Sequence, residues 1–381
     1  MNMWLVAAIW MALAAVSALI AIRIKMPAAL AEIIIGMLAG NFIMLHTNAW
    51  IDFVAGFGSI LLTFLAGAEI DPVVLRKQLI PSTVLGAASF LAPFLAAMGY
   101  ALLVAHWTAP AAKIAGLAMS TTSVAVVYAV MVETGLAGRE FGQLILAACF
   151  FTDLGTVAAL GLLFANYNLW LALLAAGIVG GMILMPKLLP AVIERTRRYV
   201  SEPGLRILFA VIFILAALAT YAKSEGVLPA YFLGIACAGF LFTYPDVKRR
   251  LQTMTMTLLA PFYFIKAGTY TSFSAAAGSA WLIVVLFFVK IVAKVVAVLP
   301  IARYGFRYSP KDAGYLTLMM ATGLTFGTIS SLYGLTHHYI NQAQYTALVT
   351  VVILTAIVPT LVAQALFKPA EEPEEMEAEV P

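Results

Sequence analysis

Long apolar runs alternate with short polar interruptions along almost the whole chain. A hydrocarbon core of roughly 30 Å needs about 20 consecutive apolar residues to be crossed as helix. Thirteen stretches meet or approach that length: 3–22, 28–45, 51–70, 80–105, 112–132, 141–165, 168–190, 204–222, 226–243, 254–273, 279–304, 311–335 and 343–367. Helix-stopping clusters such as Lys25-Met26-Pro27, Asp71-Pro72 and Tyr244-Pro245-Asp246 stand between them. The pattern predicts an all-α polytopic membrane protein of thirteen transmembrane helices. The first stretch has neither a charged start nor a small-residue cleavage site, so it is expected to be a span and not a removable signal peptide.

Composition agrees with this. Of 381 residues, 63% are hydrophobic and 10% charged, against roughly 45–50% and about 25% in soluble domains. So few charges cannot cover the surface of a water-soluble protein, which excludes a soluble enzyme, a nucleic-acid binder and a disordered scaffold. Cys149 and Cys237 both lie in apolar runs, leaving neither a disulfide framework nor a cysteine metal cluster.

Charge then orients the chain. Sixteen of the 22 lysines and arginines fall in odd-numbered loops, whereas the even-numbered loops hold Lys113 and Lys223. By the positive-inside rule the odd loops are cytoplasmic, the N-terminus outside and the C-terminus inside. The net charge of +4 follows this bias and gives no reason to expect nucleic acid. Residues 1–369 form a single transmembrane unit, and 370–381 an acidic tail whose composition predicts disorder.

Two spans are interrupted in their middles. Span five carries Ser120-Thr121-Thr122-Ser123, and span twelve carries Thr322-Gly323-Leu324-Thr325-Phe326-Gly327-Thr328. Hydroxyls and glycines at membrane depth favour a helix break, because such side chains re-satisfy the freed backbone groups. For either span alone, close helix packing explains the same residues. The two spans are seven apart and so cross in opposite directions, and each is followed by one further span. Interrupted spans at matching places in an inverted arrangement point to a secondary transporter with its site between the repeats.

Ionisable groups inside a span are costly and are candidates for function. Asp153 lies about halfway along span six and is the deepest acid. Its charged form is disfavoured there unless a proton or a cation neutralises it, which suits a site that exchanges the two. Pairing with a lysine is the structural alternative. Thr152 beside it offers a hydroxyl ligand or a backbone cap. Lys290 and Lys294 are four apart on one face of span eleven, and Lys294 is near enough to the cytoplasmic end to snorkel. Lys266 lies within span ten with no evident partner, Glu32 is early in span two, and Glu69 ends span three beside Asp71, where helix-end anchoring is expected. His337 and His338 fall in an outer loop, where solvation is expected.

Four pieces occur in order: Glu32-Ile-Ile-Ile-Gly36-Met-Leu-Ala-Gly40, Phe64-Leu-Ala-Gly67-Ala-Glu69-Ile-Asp71, Thr122-Ser123-Val-Ala-Val-Val with Glu133-Thr-Gly135, and Asp153-Leu-Gly155. Together they resemble the bacterial monovalent cation:proton antiporters of the NapA/Kef type, related to NhaA, over essentially the whole chain. The resemblance implies two crossed discontinuous helices, supplied by spans five and twelve, with breaks at Thr121, Thr322, Gly323 and Thr325. It implies a core of helices at about 80–165 and 279–367, a dimerisation scaffold from the remainder, and a homodimer in the bacterial or archaeal inner membrane, in contact with its lipid. Asp153 matches the ion-binding aspartate and Thr152 the position before it, with Thr122 and Ser123 as further oxygen ligands. Lys294 matches the basic residue on the neighbouring span, with Lys290 as the alternative; either would compensate charge or carry a second proton. The substrates implied are Na⁺ or K⁺, with Li⁺ a further option, and H⁺, with no cofactor and no resident metal.

Three departures bear on the mechanism. Thr152 stands where electrogenic relatives carry a second acid, so the expected exchange is electroneutral. Thr322-Gly323-Leu324-Thr325 replaces a charged stretch of many relatives. Lys266 replaces a usually apolar residue, and a cation there would suit a sodium-coupled symporter of a small organic anion, the second reading. An intramembrane enzyme is not expected, because a second deep aspartate and a His-Glu-x-x-His motif are both absent from the sequence. Nor does any stretch resemble a channel selectivity filter.

Overall fold

The computed structural model describes residues 2–24, 26–43, 45, 47–68, 77–136, 139–164, 168–196, 202–222, 226–367 and 369. Each of the thirteen apolar stretches coincides with helix. In chain order the helices are α1 (Met3–Ile24), α2 (Ala28–Phe42), α3 (Ala49–Ala68), α4 (Leu79–Leu103), α5 (Ala109–Ser120), α6 (Val124–Glu133), α7 (Glu140–Leu163), α8 (Leu169–Thr196), α9 (Pro203–Tyr221) and α10 (Val227–Thr243). There follow α11 (Pro245–Met254), α12 (Ala260–Thr269), α13 (Phe273–Gly278), α14 (Ala280–Pro300), α15 (Pro310–Met320), α16 (Thr325–Thr336) and α17 (Gln342–Leu366). A π turn at Thr255–Leu259 joins α11 to α12, and another at Ile301–Gly305 extends α14.

Among the described residues nine helices are long and apolar enough to cross a membrane, with α15 and α16 taken together as one of them. The chain is an integral membrane protein. Length alone does not give thirteen spans, for a physical reason. Span five is divided between α5 and α6, of 12 and 10 residues, α2 and α10 are shorter apolar helices, and the tenth span is a composite of α11, the π turn and α12.

Two kinds of packing hold the bundle together. The first is a pair of seams where backbones touch. A Cβ at Gly36 would stand 2.2 Å from the Ile265 carbonyl oxygen, and one at Gly268 would stand 2.2 Å from that of Ile33. The α3–α10 seam repeats this, with the Tyr231 oxygen 2.3 Å from a Cβ at Gly67 and the Phe64 oxygen 2.1 Å from one at Gly234. Only glycine permits such an approach between helices, since lipid gives no hydrophobic drive and close contact must supply the attraction. The motif stretches at 32–40 and 64–67 are therefore packing surfaces. Trp10 of α1, fully buried, stacks on Phe262 of α12 at 5.7 Å and closes this side.

The second kind is side-chain packing around α14. Its lipid-facing stripe is Trp281, Val284, Phe288, Val292 and Val296, all exposed. The opposite stripe, Ile283, Leu286, Lys290, Lys294 and Val298, is buried. Both lysines thus point into the protein, packed among α4, α5, α15 and α17.

Candidate functional site

Span five breaks after Ser120 and resumes at Val124; span twelve breaks after Met320 and resumes at Thr325. Thr121, Thr122, Ser123, Thr322 and Gly323 lie in the breaks, and Thr325 is the first residue of the second half-helix α16. The two breaks meet. The Ser123 N–H donates to the Thr322 carbonyl at 3.2 Å, and Thr122 Oγ1 donates to the Met320 carbonyl at 2.8 Å. The remaining hydroxyls turn back on their own helices, Thr121 to the Ala118 carbonyl at 3.2 Å and Thr322 to that of Met319 at 2.9 Å. Ser123 Oγ accepts from the Val126 N–H at 3.4 Å and caps α6. Backbone groups that a helix would have satisfied are satisfied here by hydroxyls and by the facing break, the condition for tolerating a break at membrane depth.

Each break holds a lysine from α14. Lys294 Nζ donates to Ser89 Oγ at 2.7 Å, the Ser120 carbonyl at 3.0 Å and Thr122 Oγ1 at 3.0 Å. All three protons of an ammonium are thereby placed. The Ser120 carbonyl lies at the C-terminal end of α5, where the helix dipole favours a cation. Lys290 Nζ donates to Thr355 Oγ1 at 3.2 Å, and that hydroxyl donates onward to the Val352 carbonyl at 3.0 Å. A Cβ at Gly323 would lie 2.3 Å from Lys290 Nζ, so glycine makes room for this lysine in the second break. Lys294 is fully buried and does not snorkel. Ser89 and Thr355 are each one of several hydroxyls in an apolar helix, and carried no sequence signal that could have singled them out.

Asp153 is 3% exposed on α7. Its helix lies against the crossing: Cys149, one turn earlier, has its Sγ 3.9 Å from Met320 Sδ, and Met320 supplies the carbonyl that Thr122 binds. Thr152 donates its proton to the Cys149 carbonyl at 2.7 Å and is a backbone cap in this state. The assembly can therefore present one carboxylate, an anchored ammonium and a ring of hydroxyl and carbonyl oxygens. That set suits a proton or a hard monovalent cation.

The other sequence candidates lie elsewhere. Glu32 is buried on α2, next to the residue whose carbonyl faces Gly268. Glu69 lies outside the described residues. Lys266, unpartnered in the sequence reading, pairs with Asp52 of α3 at 2.7 Å. It lines a cavity of about 560 Å³ bounded by α3, α9 and α12 on one side and α16 on the other, with His337 in its wall. Asp153 is not among the cavity's lining residues. An aromatic group ties α7, α10 and α16 together: Tyr231 is edge-on to Phe326 of α16 at 6.0 Å, stacks on Phe150 of α7 at 5.8 Å and donates to the Phe150 carbonyl at 3.1 Å.

Known proteins resemble this chain over most of its length. Residues 11–368 match the family model described as "Sodium/hydrogen exchanger, transmembrane". The Na(+)/H(+)-K(+) antiporter GerN of Bacillus cereus is 22% identical over 353 residues, 89% of each chain. The Na(+)/H(+) antiporter of Enterococcus hirae is 24% identical over 358 residues, covering 89% of this chain and 91% of its own. Bacillus subtilis YjbQ is 23% identical over 382 residues, and this chain spans 61% of its length. Among solved structures, the sodium proton antiporter MjNhaP1 of Methanocaldococcus jannaschii aligns with a TM-score of 0.70 at 16% identity, over 94% of this chain and 97% of that one. The fold is shared.

Proposed function

The chain belongs to the sodium/hydrogen exchanger family, and we propose that it is a secondary monovalent cation:proton antiporter working by alternating access at Asp153. The observation that carries this reading is a buried carboxylate on α7, a helix that lies against two hydrogen-bonded helix breaks, with Lys294 held by hydrogen bonds in one of those breaks. Deprotonated, Asp153 takes Na⁺, K⁺ or Li⁺; protonated, it returns the site to the other face. Thr122 and the backbone carbonyls of the breaks complete the oxygen set. Lys294 holds the crossing and offsets the carboxylate's charge. A core at 80–165 and 279–367 moving against a scaffold is supported by the contrast between the polar crossing and the glycine seams.

The lysine and arginine bias supports an outside N-terminus and an inside C-terminus in a bacterial or archaeal cytoplasmic membrane. Impermeant labelling of Arg197→Cys from outside intact cells would reverse that orientation. Thirteen spans and a homodimer are part of the same reading; an active monomer in mild detergent would remove the dimer. The organic-anion symporter loses its motive, because Asp52 neutralises Lys266. The direct test is proton efflux from proteoliposomes on adding Na⁺, K⁺ and Li⁺ in turn. At least one should drive efflux, and a flat response to all three defeats the antiporter reading.

A further inference from the structure

The Lys266–Asp52 pair is not explained by stability. Half-exposed ion pairs contribute little, and Asp52 has 45% of its side chain exposed. A lysine within a membrane span carries an insertion cost. Its placement suggests another use. Lys266 lies one turn from the end of α12 and Asp52 in the first turn of α3, and Lys266 shares its cavity with Thr220 near the end of α9, Gly226 and His337, all close to connecting loops. These are even-numbered loops, the outer side in the proposed orientation. The cavity that Lys266 lines is also bounded by α16, one wall of the crossing.

Resting on the antiporter reading above, we infer that Asp52 and Lys266 form an electrostatic filter at the cavity mouth that sets the apparent affinity for the cation from that face. The carboxylate is the exposed member and meets an arriving cation first. The ammonium, with 11% of its side chain exposed, lies within the wall and cancels most of that attraction. A low-dielectric cleft focuses such fields, so a single uncompensated charge changes the local cation concentration. Neither residue touches the crossing, so the turnover step is left alone. The pair makes a weakly attracting vestibule, which lets a cation leave as readily as it enters.

The experiment is cation-dependent proton movement measured in right-side-out and everted vesicles. Lys266→Met leaves Asp52 uncompensated and should lower KM for the cation about threefold at low ionic strength, and Asp52→Asn should raise it by a similar factor. The double variant should return near the wild-type KM. All three should keep the wild-type kcat, and the shifts should shrink when choline chloride screens the charges. They should also be confined to one face of the membrane. Opposite, salt-sensitive KM shifts on one face establish the filter. Shifts of the same sign, a loss of kcat without a KM change, or equal shifts on both faces overturn it. Lys266→Gln serves if Lys266→Met fails to accumulate, with the same expected sign. A wild-type protein that exchanges no cation would overturn the antiporter reading instead, a result visible before any variant is made.

Discussion

The crossing and the glycine seams are both made of small residues set into apolar spans, yet they act in opposite ways. At Gly36 and Gly268 the helices stay continuous, and the missing Cβ lets two backbones touch. At 121–123 and 321–324 the helices stop, and hydroxyls take over the bonding of the freed backbone. The difference is chemical. Glycine offers space but no hydrogen bond, so the helix must keep its own ladder. Ser120-Thr121-Thr122-Ser123 offers four hydroxyls in a row, enough to satisfy carbonyls that no longer have a helical partner. Charge divides less cleanly: Lys290 and Lys294 enter the crossing, where acceptors wait, while the seam helices α2 and α12 carry buried Glu32 and the Asp52-paired Lys266. One region is built to hold still; in the proposed cycle the other holds the ion.

The comparison can be broken most directly at Asp153. Asp153→Asn should abolish exchange while leaving a monodisperse, membrane-inserted protein, since the amide keeps the size and loses the charge. Wild-type exchange by that variant would move the site away from the crossing, with Glu32, buried on α2, as the next carboxylate to test.

Next come the lysines. Lys294→Met strands three acceptors at once, including the Ser120 carbonyl at the end of α5. Leaving a buried acceptor unsatisfied costs about 1–3 kcal/mol, and here three are affected. Lys290→Met removes one hydrogen bond, to Thr355, for which about 1–3 kcal/mol is in proportion. Thermal unfolding in detergent should therefore rank Lys294→Met well below Lys290→Met. The reverse order would mean that Lys290 is the anchor.

At the seams, Gly234→Ala forces a Cβ to within 2.1 Å of the Phe64 oxygen. Overpacking of this kind costs about 1–3 kcal/mol. Yield and thermal stability should fall, while the surviving protein keeps the wild-type KM. A changed KM with unchanged stability would make the seam part of the site.

The smallest expected effect is none at all. With one carboxylate carrying either a proton or a monovalent cation, net charge is equal in both crossings. The membrane potential, worth about 2.3 kcal/mol per charge per 100 mV, then has nothing to act on. Equilibrium cation ratios in vesicles clamped at zero and at inside-negative potential should coincide. A shift would identify a lysine as a second proton carrier and sharpen the contrast between Lys290 and Lys294.

By itself the sequence determined the membrane character, the positions of the helices and the two breaks. Each of these is local: hydropathy over some twenty residues decides partition into the membrane, and a cluster of hydroxyls decides where a helix can stop. Asp153 was legible for the same reason, as an isolated acid in an apolar run. The tertiary structure alone decided what these features meet. The 32–40 and 64–71 motifs carried the family resemblance, and their glycines are backbone contacts, because only a facing helix reveals why a glycine is needed. Lys266 looked unpartnered until the fold brought Asp52 to it. Lys290 and Lys294, equivalent on one helical face, became different because one faces three acceptors and the other faces one. Hydrogen bonds and ion pairs depend on distances of a few ångströms between residues far apart in the chain, and those distances exist only once the helices have packed.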